Sequence, residues 1–472
     1  MGVRIRNLLV AVIASFNICY ISNANAVNWL TLQGVTDSPY PLVWGFLQPA
    51  YMHTSGSTLP SSLPPGTWQD QQTLFNVIQP DLSSSQVFQI QRARIGVRGA
   101  LPANENISYF VLAEYGNNGI TQPGGGGGRV TLTDATVTFT HIKGAKVRVG
   151  QMKIPMSEEV YQGIVSFNYI NLTNIANQQL VERPLWTDGL SPCDIGSPGG
   201  PSNENYLRFC NGDAQTQFRS AAVAVRDTGI QIFDSFRMDD WEHSYALLIG
   251  QGGANKDDRN DSLDTTIYLS SEKIFDGLKI MRKGYKLYAW HTSGKRTIYD
   301  SATLAAGGTS LEAAEQEYDR KLTGIGGTYF DGKYRFWAEY MKVDGMLFTG
   351  STMGAVPGAV SNNGFMVAQF QTQPEGKGDG GYVDFGYRVT PKVELDVRYD
   401  WYNRVTNLLP TDEFKFETLT LGAQYFFTDT TKAIINYEKR SLEAVGYPSS
   451  SIPNEIADAM DDRISAQVLL FF

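Results

Sequence analysis

Charged side chains at every second position are the residues of this chain with the most evident chemistry. Residues 92–98 and 393–401 both alternate charged residues with apolar or aromatic ones. Alternate side chains of an extended strand point to opposite faces, so each segment has one charged and one apolar face. Charged groups in such rows could bind small ions through charge-assisted hydrogen bonds. The candidate functional residues are Arg92, Arg94, Arg98, Lys146, Arg148, Arg226, Glu394, Asp396, Arg398 and Asp400.

Motifs for catalysis or for a bound cofactor are missing from the sequence. The four histidines, at positions 53, 141, 243 and 291, are scattered, with no H-E-x-x-H zinc motif and no G-x-S-x-G nucleophile elbow. Residues 257–264 are acidic but lack the glycine and glutamate of an EF-hand loop. There is also no C-x-x-C-H haem attachment motif. The sequence therefore predicts no enzyme, no metal site and no cofactor.

The first 26 residues have the organisation of a cleaved signal peptide. Arg4 and Arg6 precede a short apolar run, and Ala24 and Ala26 form a small-x-small cleavage site. The rest of the chain, residues 27–472, is then exported. With 39 Lys and Arg against 48 Asp and Glu, the chain is acidic, which argues against nucleic acid as a partner.

Strand-like segments recur to the last residue of the chain, where residues 463–472 end on an aromatic side chain. In this last segment one face carries Ile464, Ala466, Val468, Leu470 and Phe472. There are about sixteen such segments, and the connections between them are alternately short and long. Bacterial outer-membrane barrels have an even number of strands. We predict a transmembrane antiparallel β-barrel in the outer membrane of a Gram-negative-type bacterium. One solvated face of a soluble sheet is the alternative explanation of the charges.

The free-energy cost of a charge in lipid determines which face of each strand points outward. An Arg or Lys at the lipid-facing midplane costs about 2–4 kcal/mol, so the charged faces are predicted to line a wet lumen. The basic residues fall mainly on early strands and the acidic residues on a later part of the wall. The sequence thus predicts a wall divided by charge.

Several segments resemble the phosphate-selective porin O and P family. They are residues 88–99, 109–115, 132–139, 146–157, 177–184 and 226–229. The resemblance implies a sixteen-stranded barrel, commonly a trimer. It also implies that the third extracellular loop folds inward to narrow the pore.

That third loop, residues 156–217, is unusually long for a compact protein. Its apolar and aromatic residues favour packing inside the barrel as a pore constriction, with an external cap as the alternative. Arg183 is its candidate pore-lining residue. Cys193 and Cys210 are predicted to form a disulfide in an oxidising compartment, the alternatives being two free thiols or metal ligands.

These features predict a porin for passive diffusion of small hydrophilic solutes. Preference for anions or phosphate is a weaker prediction, because loop 156–217 carries few basic residues and residues 294–319, the predicted fifth loop, add only Lys295 and Arg296. A barrel that sheathes a cytochrome in an electron-transfer complex is the alternative, and an outer-membrane enzyme is a third possibility. Predicted partners are small solutes or anions and outer-membrane lipid, with a homotrimer as the assembly.

Overall fold

Sixteen antiparallel strands close into a single barrel in the computed structural model. The structure describes residues 28–32, 36, 38–56, 73–74, 86–116, 118, 130–181, 225–252, 262–276, 282–299, 315–350, 360–361 and 370–472. The strands are β1 Leu42–Gly56, β2 Gln86–Leu101, β3 Asn104–Tyr115, β4 Thr131–Phe139, β5 Lys146–Lys153, β6 Arg226–Met238, β7 Trp241–Gly250, β8 Asp264–Asp276, β9 Lys283–Tyr299, β10 Glu315–Phe330, β11 Tyr334–Asp344, β12 Lys377–Thr390, β13 Val393–Arg404, β14 Phe414–Phe426, β15 Lys432–Ala444 and β16 Met460–Phe471.

The first and last strands close the barrel. Phe46 of β1 lies opposite Phe471 of β16, and β1 pairs with β2 along its other edge. Gly45 and Phe472 exchange two backbone hydrogen bonds of 2.9 Å. Closure leaves no strand edge unpaired, which a β-structure surrounded by hydrocarbon requires. The predicted fold is confirmed.

The two rims of the barrel differ in the length of their connections. Seven connections of at most six residues lie at one rim, together with the start of β1 and the end of β16. Connections of nine residues or more lie at the other rim. We call these the short-turn rim and the long-loop rim. The sequence predicted this alternation.

Side chains divide between the faces as the period of two predicted. Ile95, Leu421 and Val397 lie on the outer face, whereas Glu394 and Arg398 lie on the inner face and are buried. One predicted boundary is wrong: β9 and β10 extend well into the predicted fifth loop. Lys295 pairs in register with Asp319, so it belongs to the wall and not to a loop.

Small elements accompany the barrel. Two two-stranded sheets join Leu347–Gly350 to Phe370–Gln373 and Val360–Ser361 to Thr73–Leu74. Short helical turns cover Trp29–Leu32, Glu158–Tyr161, Ile164–Ser166, Ala176–Leu180, Pro410–Asp412 and Ile452–Asp458. Among the described residues, none of the helices has the length and apolarity needed to span a membrane.

A charge placed on the outer face of the barrel should destabilise the protein, because this face contacts lipid. Leu421 is half-exposed in the middle of β14, so Leu421→Arg should lower the free energy of unfolding in lipid vesicles by about 2–4 kcal/mol. The matched control is Leu409→Arg in the connection before β14, which should change it little. Equal effects of the two substitutions, measured by urea titration, would show that Leu421 does not face hydrocarbon.

Candidate functional site

Four of the predicted basic residues and one further lysine form a wall from β2 to β6. Arg92 and Arg94 of β2, Arg148 of β5 and Arg226 of β6 point inward and are buried. Lys153, at the end of β5, is also buried among them and was not predicted as a site residue. Arg98 and Lys146 are only half-buried, and both lie toward the short-turn rim.

The centre of this wall holds two more cations than carboxylates. Arg94 forms an ion pair with Glu114, and Arg226 Nε lies 3.0 Å from Asp134 Oδ2. Two further cations, Arg92 and Lys153, interact electrostatically with these groups. We call this set the basic cluster: Arg92, Arg94, Lys153, Arg226, Glu114 and Asp134.

The two additional cations bind neutral acceptors. Arg92 Nη1 donates to Gln48 Oε1 at 3.4 Å, and Lys153 Nζ donates to the carbonyl oxygens of Val160 and Gln162 at 3.0 and 2.9 Å. Arg226 Nη2 is buried without a hydrogen-bond partner among the described residues. A buried positive charge without a counterion costs free energy that a negative ligand would recover.

The remaining basic residues bind elsewhere along the same wall. Arg148 donates to Gln231 Oε1 at 3.1 Å and to the carbonyl oxygen of Leu30 at 2.9 Å, and its guanidinium lies 4.3 Å from the centre of the Phe233 ring. Lys146 forms an ion pair with Asp234. These contacts fix the basic residues in place from the short-turn rim inward.

The acidic residues predicted on the later part of the wall face inward, and they carry their own cations. Arg335 of β11 forms ion pairs with Asp384, Glu394 and Asp396. Glu394 also pairs with Arg388 at 2.8 Å. Arg335 was not predicted as a site residue. Its partners lie on two other strands, and neither its local alternation nor its spacing from them signals the contact.

Residues 154–181, which we call the inward segment, lie inside the barrel. Their partners are inward-facing wall residues: Tyr169 donates to Asp384 at 2.8 Å, and Asn171 donates to Glu438 at 3.0 Å. Asn174 donates to Asp400 at 2.8 Å through both its backbone and its side-chain nitrogen. Near the short-turn rim, Ile164 packs with Phe46 and Leu469. The segment therefore descends from the end of β5 toward the short-turn rim before it returns.

A buried ion pair anchors the inward segment to β13. Arg398 Nη1 lies 3.3 Å from Glu159 Oε1, and the backbone and hydroxyl of Thr173 donate to the same carboxylate at 2.8 and 2.6 Å. Burial raises the pKa of the Glu159 carboxyl, and Arg398 and the Thr173 hydrogen bonds oppose that rise. Arg398 also donates to the carbonyl oxygen of Asn171 at 3.1 Å and stacks on Tyr169.

The inward segment fills the space beside the candidate residues. Arg148, Arg226, Asp396 and Asp400 are between 0 and 5% exposed, so the wet lumen predicted from the sequence does not surround them. A cavity of about 20 Å³ remains between Tyr169, Asp384 and Arg398, which is room for about one water molecule. Among the described residues, no group of side chains is arranged to hold a metal ion.

Three predicted site residues lie outside the described residues. They are Arg183 and the predicted disulfide partners Cys193 and Cys210. The described part of the predicted loop 156–217 ends at residue 181.

The comparison with protein families agrees with this geometry. The family model of phosphate-selective porin O and P matches residues 67–189, which include β2 to β5, much of the basic wall and the inward segment. This part of the chain is similar to that porin family. Together with the closed barrel, the match supports an outer-membrane channel. The family and the fold point to a channel rather than an enzyme.

Solved porin structures are similar over almost the full length. OmpT of Vibrio cholerae in its trimer form shares 11% identity and a TM-score of 0.47, covering 92% of this chain and 100% of OmpT. DcaP of Acinetobacter baumannii has 10% identity and a TM-score of 0.47, covering 93% of this chain and 99% of DcaP. The anion-selective porin from Comamonas acidovorans has 11% identity and a TM-score of 0.44, covering 92% of this chain and 99% of that porin. No curated protein matches the chain.

The anchor of the inward segment can be tested by removing its cation. Arg398→Met leaves the Glu159 carboxylate buried without its counterion, so the free energy of unfolding should fall by about 3–5 kcal/mol. Adding Glu159→Gln should restore part of that loss, since the uncompensated charge is then gone. Denaturant titration of the single and double variants measures the coupling.

The matched control for this anchor is Lys295→Met, because Lys295 pairs with Glu317 on the exposed part of β9 and β10. Its removal should leave stability close to that of the native porin. If Arg398→Met were equally mild, the ion pair with Glu159 would not anchor the inward segment.

Proposed function

We propose that this porin conducts small hydrophilic anions by passive diffusion. The observation that carries the proposal is the basic cluster, in which Arg92 and Lys153 exceed the carboxylates available to them. An anion approaching this wall meets more basic side chains than carboxylates, and a buried guanidinium nitrogen of Arg226 that can still donate. The family name adds phosphate as the anion to be tested first.

The proposed path follows the basic wall, between strands β2 to β6 and the inward segment. Arg98 and Lys146 are half-buried toward the short-turn rim and form its mouth. Arg92, Arg94 and Arg226 follow deeper inside. Pore-lining roles for Glu394, Asp396, Arg398 and Asp400 are less favoured, because these groups are engaged with Arg335 or the inward segment.

The inward segment is the proposed constriction of this path. Its contacts with Asp384, Asp400 and Glu438 on one side, and with Lys153 on the other, support this role. Ions are proposed to pass along its basic side. A constriction bordered by one sign of charge favours counterions over ions of the same sign.

The orientation is proposed from the two unequal rims, and the assembly from the family resemblance. We propose that the signal peptide is cleaved after Ala26, that the short-turn rim faces the periplasm and that the protein is a homotrimer. Native mass spectrometry in mild detergent tests the assembly, and a monomer under conditions that preserve the barrel would contradict it.

A sheath around a cytochrome is the second candidate function. It needs a barrel emptied of its own segments, whereas residues 154–181 occupy the interior through hydrogen bonds to several strands. The described structure therefore favours conduction of small solutes over enclosure of a protein partner.

Planar-bilayer recording in a potassium chloride gradient tests the anion proposal. The native reversal potential should lie toward the chloride equilibrium potential. A unit charge about 4 Å from a passing ion contributes about 1 kcal/mol in bulk water, so Arg92→Gln should lower the ratio of anion to cation permeability several-fold. Arg92 is suited to this test because Gln48 is its hydrogen-bond partner and no carboxylate pair is broken.

Lys342→Gln is the matched control, since Lys342 is an exposed residue of β11 on the outer face. It should leave the reversal potential unchanged. A native potential toward the potassium equilibrium would overturn the anion preference, and equal potentials of the native and Arg92→Gln porins would remove Arg92 from the path.

A further inference from the structure

A short N-terminal segment, residues 28–32, lies inside the barrel beside the inward segment. It includes the single helical turn Trp29–Leu32 and precedes β1. Leu30 is 1% exposed and belongs to the same buried apolar cluster as Met156, Val160 and Tyr161. The N-terminal segment is therefore part of the interior and not a tail along the rim.

Two wall strands hold this segment through its polar atoms. Asn28 Nδ2 lies 2.9 Å from Glu242 Oε1 and 2.6 Å from Ser244 Oγ, both on β7. The carbonyl oxygen of Leu30 accepts the hydrogen bond from Arg148 Nη2 at 2.9 Å. Arg148 is fully buried, so its guanidinium would lose a partner if the segment moved out.

The same segment contacts the inward segment directly. Trp29 Nε1 donates to Glu158 Oε1 at 3.1 Å, and Lys286 of β9 binds the other oxygen of that carboxylate at 2.5 Å. The indole also lies against Gly163, where an added Cβ would come within 2.8 Å of the ring. Glycine at position 163 is thus what permits the indole to pack so closely.

We propose that residues 28–32 form a latch that holds the inward segment across the bore, so that release of the latch widens the channel. Its Asn28 and Leu30 fix it to the wall, and its Trp29 fixes Glu158 and Gly163 of the inward segment. With the signal peptide removed as proposed, the latch is joined to the barrel only through residues 33–41. Such a segment can leave the interior without breaking any pairing of the barrel strands.

This inference rests on the proposed porin function. A reversible disulfide in the latch distinguishes failure of the inference from failure of that function. Asn28→Cys with Ser244→Cys places two thiols where side-chain atoms now lie 2.6 Å apart. The background carries Cys193→Ser and Cys210→Ser so that no other thiol competes. Oxidation should keep the porin in its low-conductance state, and reduction should restore native opening.

The expected change is a ratio of closed to open times that rises on oxidation by roughly 5- to 150-fold, the usual range for coupling between two sites. The matched control is Asn104→Cys with His141→Cys in the same background. Asn104 is half-buried and His141 exposed at the short-turn rim, and their side-chain nitrogens are 3.3 Å apart and do not touch the latch. Oxidation of the control should leave the conductance unchanged.

Trp29→Ala is the second variant and acts in the opposite direction. Loss of the indole removes the hydrogen bond to Glu158 and the contact with Gly163, so larger and longer openings are expected. Heat-dependent mobility on gels checks that the barrel is still folded. Folded variants that conduct like the native porin in every redox state would overturn the latch, whereas a native protein and variants that never conduct would overturn the porin function itself.

Discussion

The need to compensate buried charge is the constraint on which the interior of this barrel depends. Charged side chains cannot face hydrocarbon without a large free-energy cost, so the period of two directs them inward. Once the inward segment covers them, they also lose most of their contact with water. Each then needs a partner inside the protein, and the three carboxylates around Arg335 are the clearest case.

The composition of the inward segment follows from the same constraint. Asn171, Thr173 and Asn174 bring neutral donors to the carboxylates of Glu438, Glu159 and Asp400. Neutral donors satisfy a carboxylate without adding a second charge that would itself need compensation. On the opposite side, the carbonyl oxygens of residues 160 and 162 act as acceptors for Lys153. The segment thus offers donors to the acidic side and acceptors to the basic side.

The sequence predicted the closed barrel, its two unequal rims and the inward direction of residues such as Arg94 and Asp396, because strand periodicity is a local property. Ion pairs between strands are not local. Arg335 and Asp396 are far apart in sequence and meet only through the order of strands in the wall. The buried state of both residues was also unpredictable, since it depends on where residues 154–181 lie. The position of Trp29 had no sequence signal, because one helical turn gives too short a pattern to interpret.

The two sides of the interior differ in how completely their charged side chains are paired with opposite charges. Around Arg335 three carboxylates share this one arginine, and Glu394 has Arg388 as a second partner, so this side has no excess of cations. In the basic cluster Glu114 and Asp134 each have an arginine, and Arg92 and Lys153 remain in excess. The inward segment supplies Lys153 only with carbonyl dipoles, which stabilise a cation less than a carboxylate does. The proposed anion preference rests on this excess of basic side chains over carboxylates.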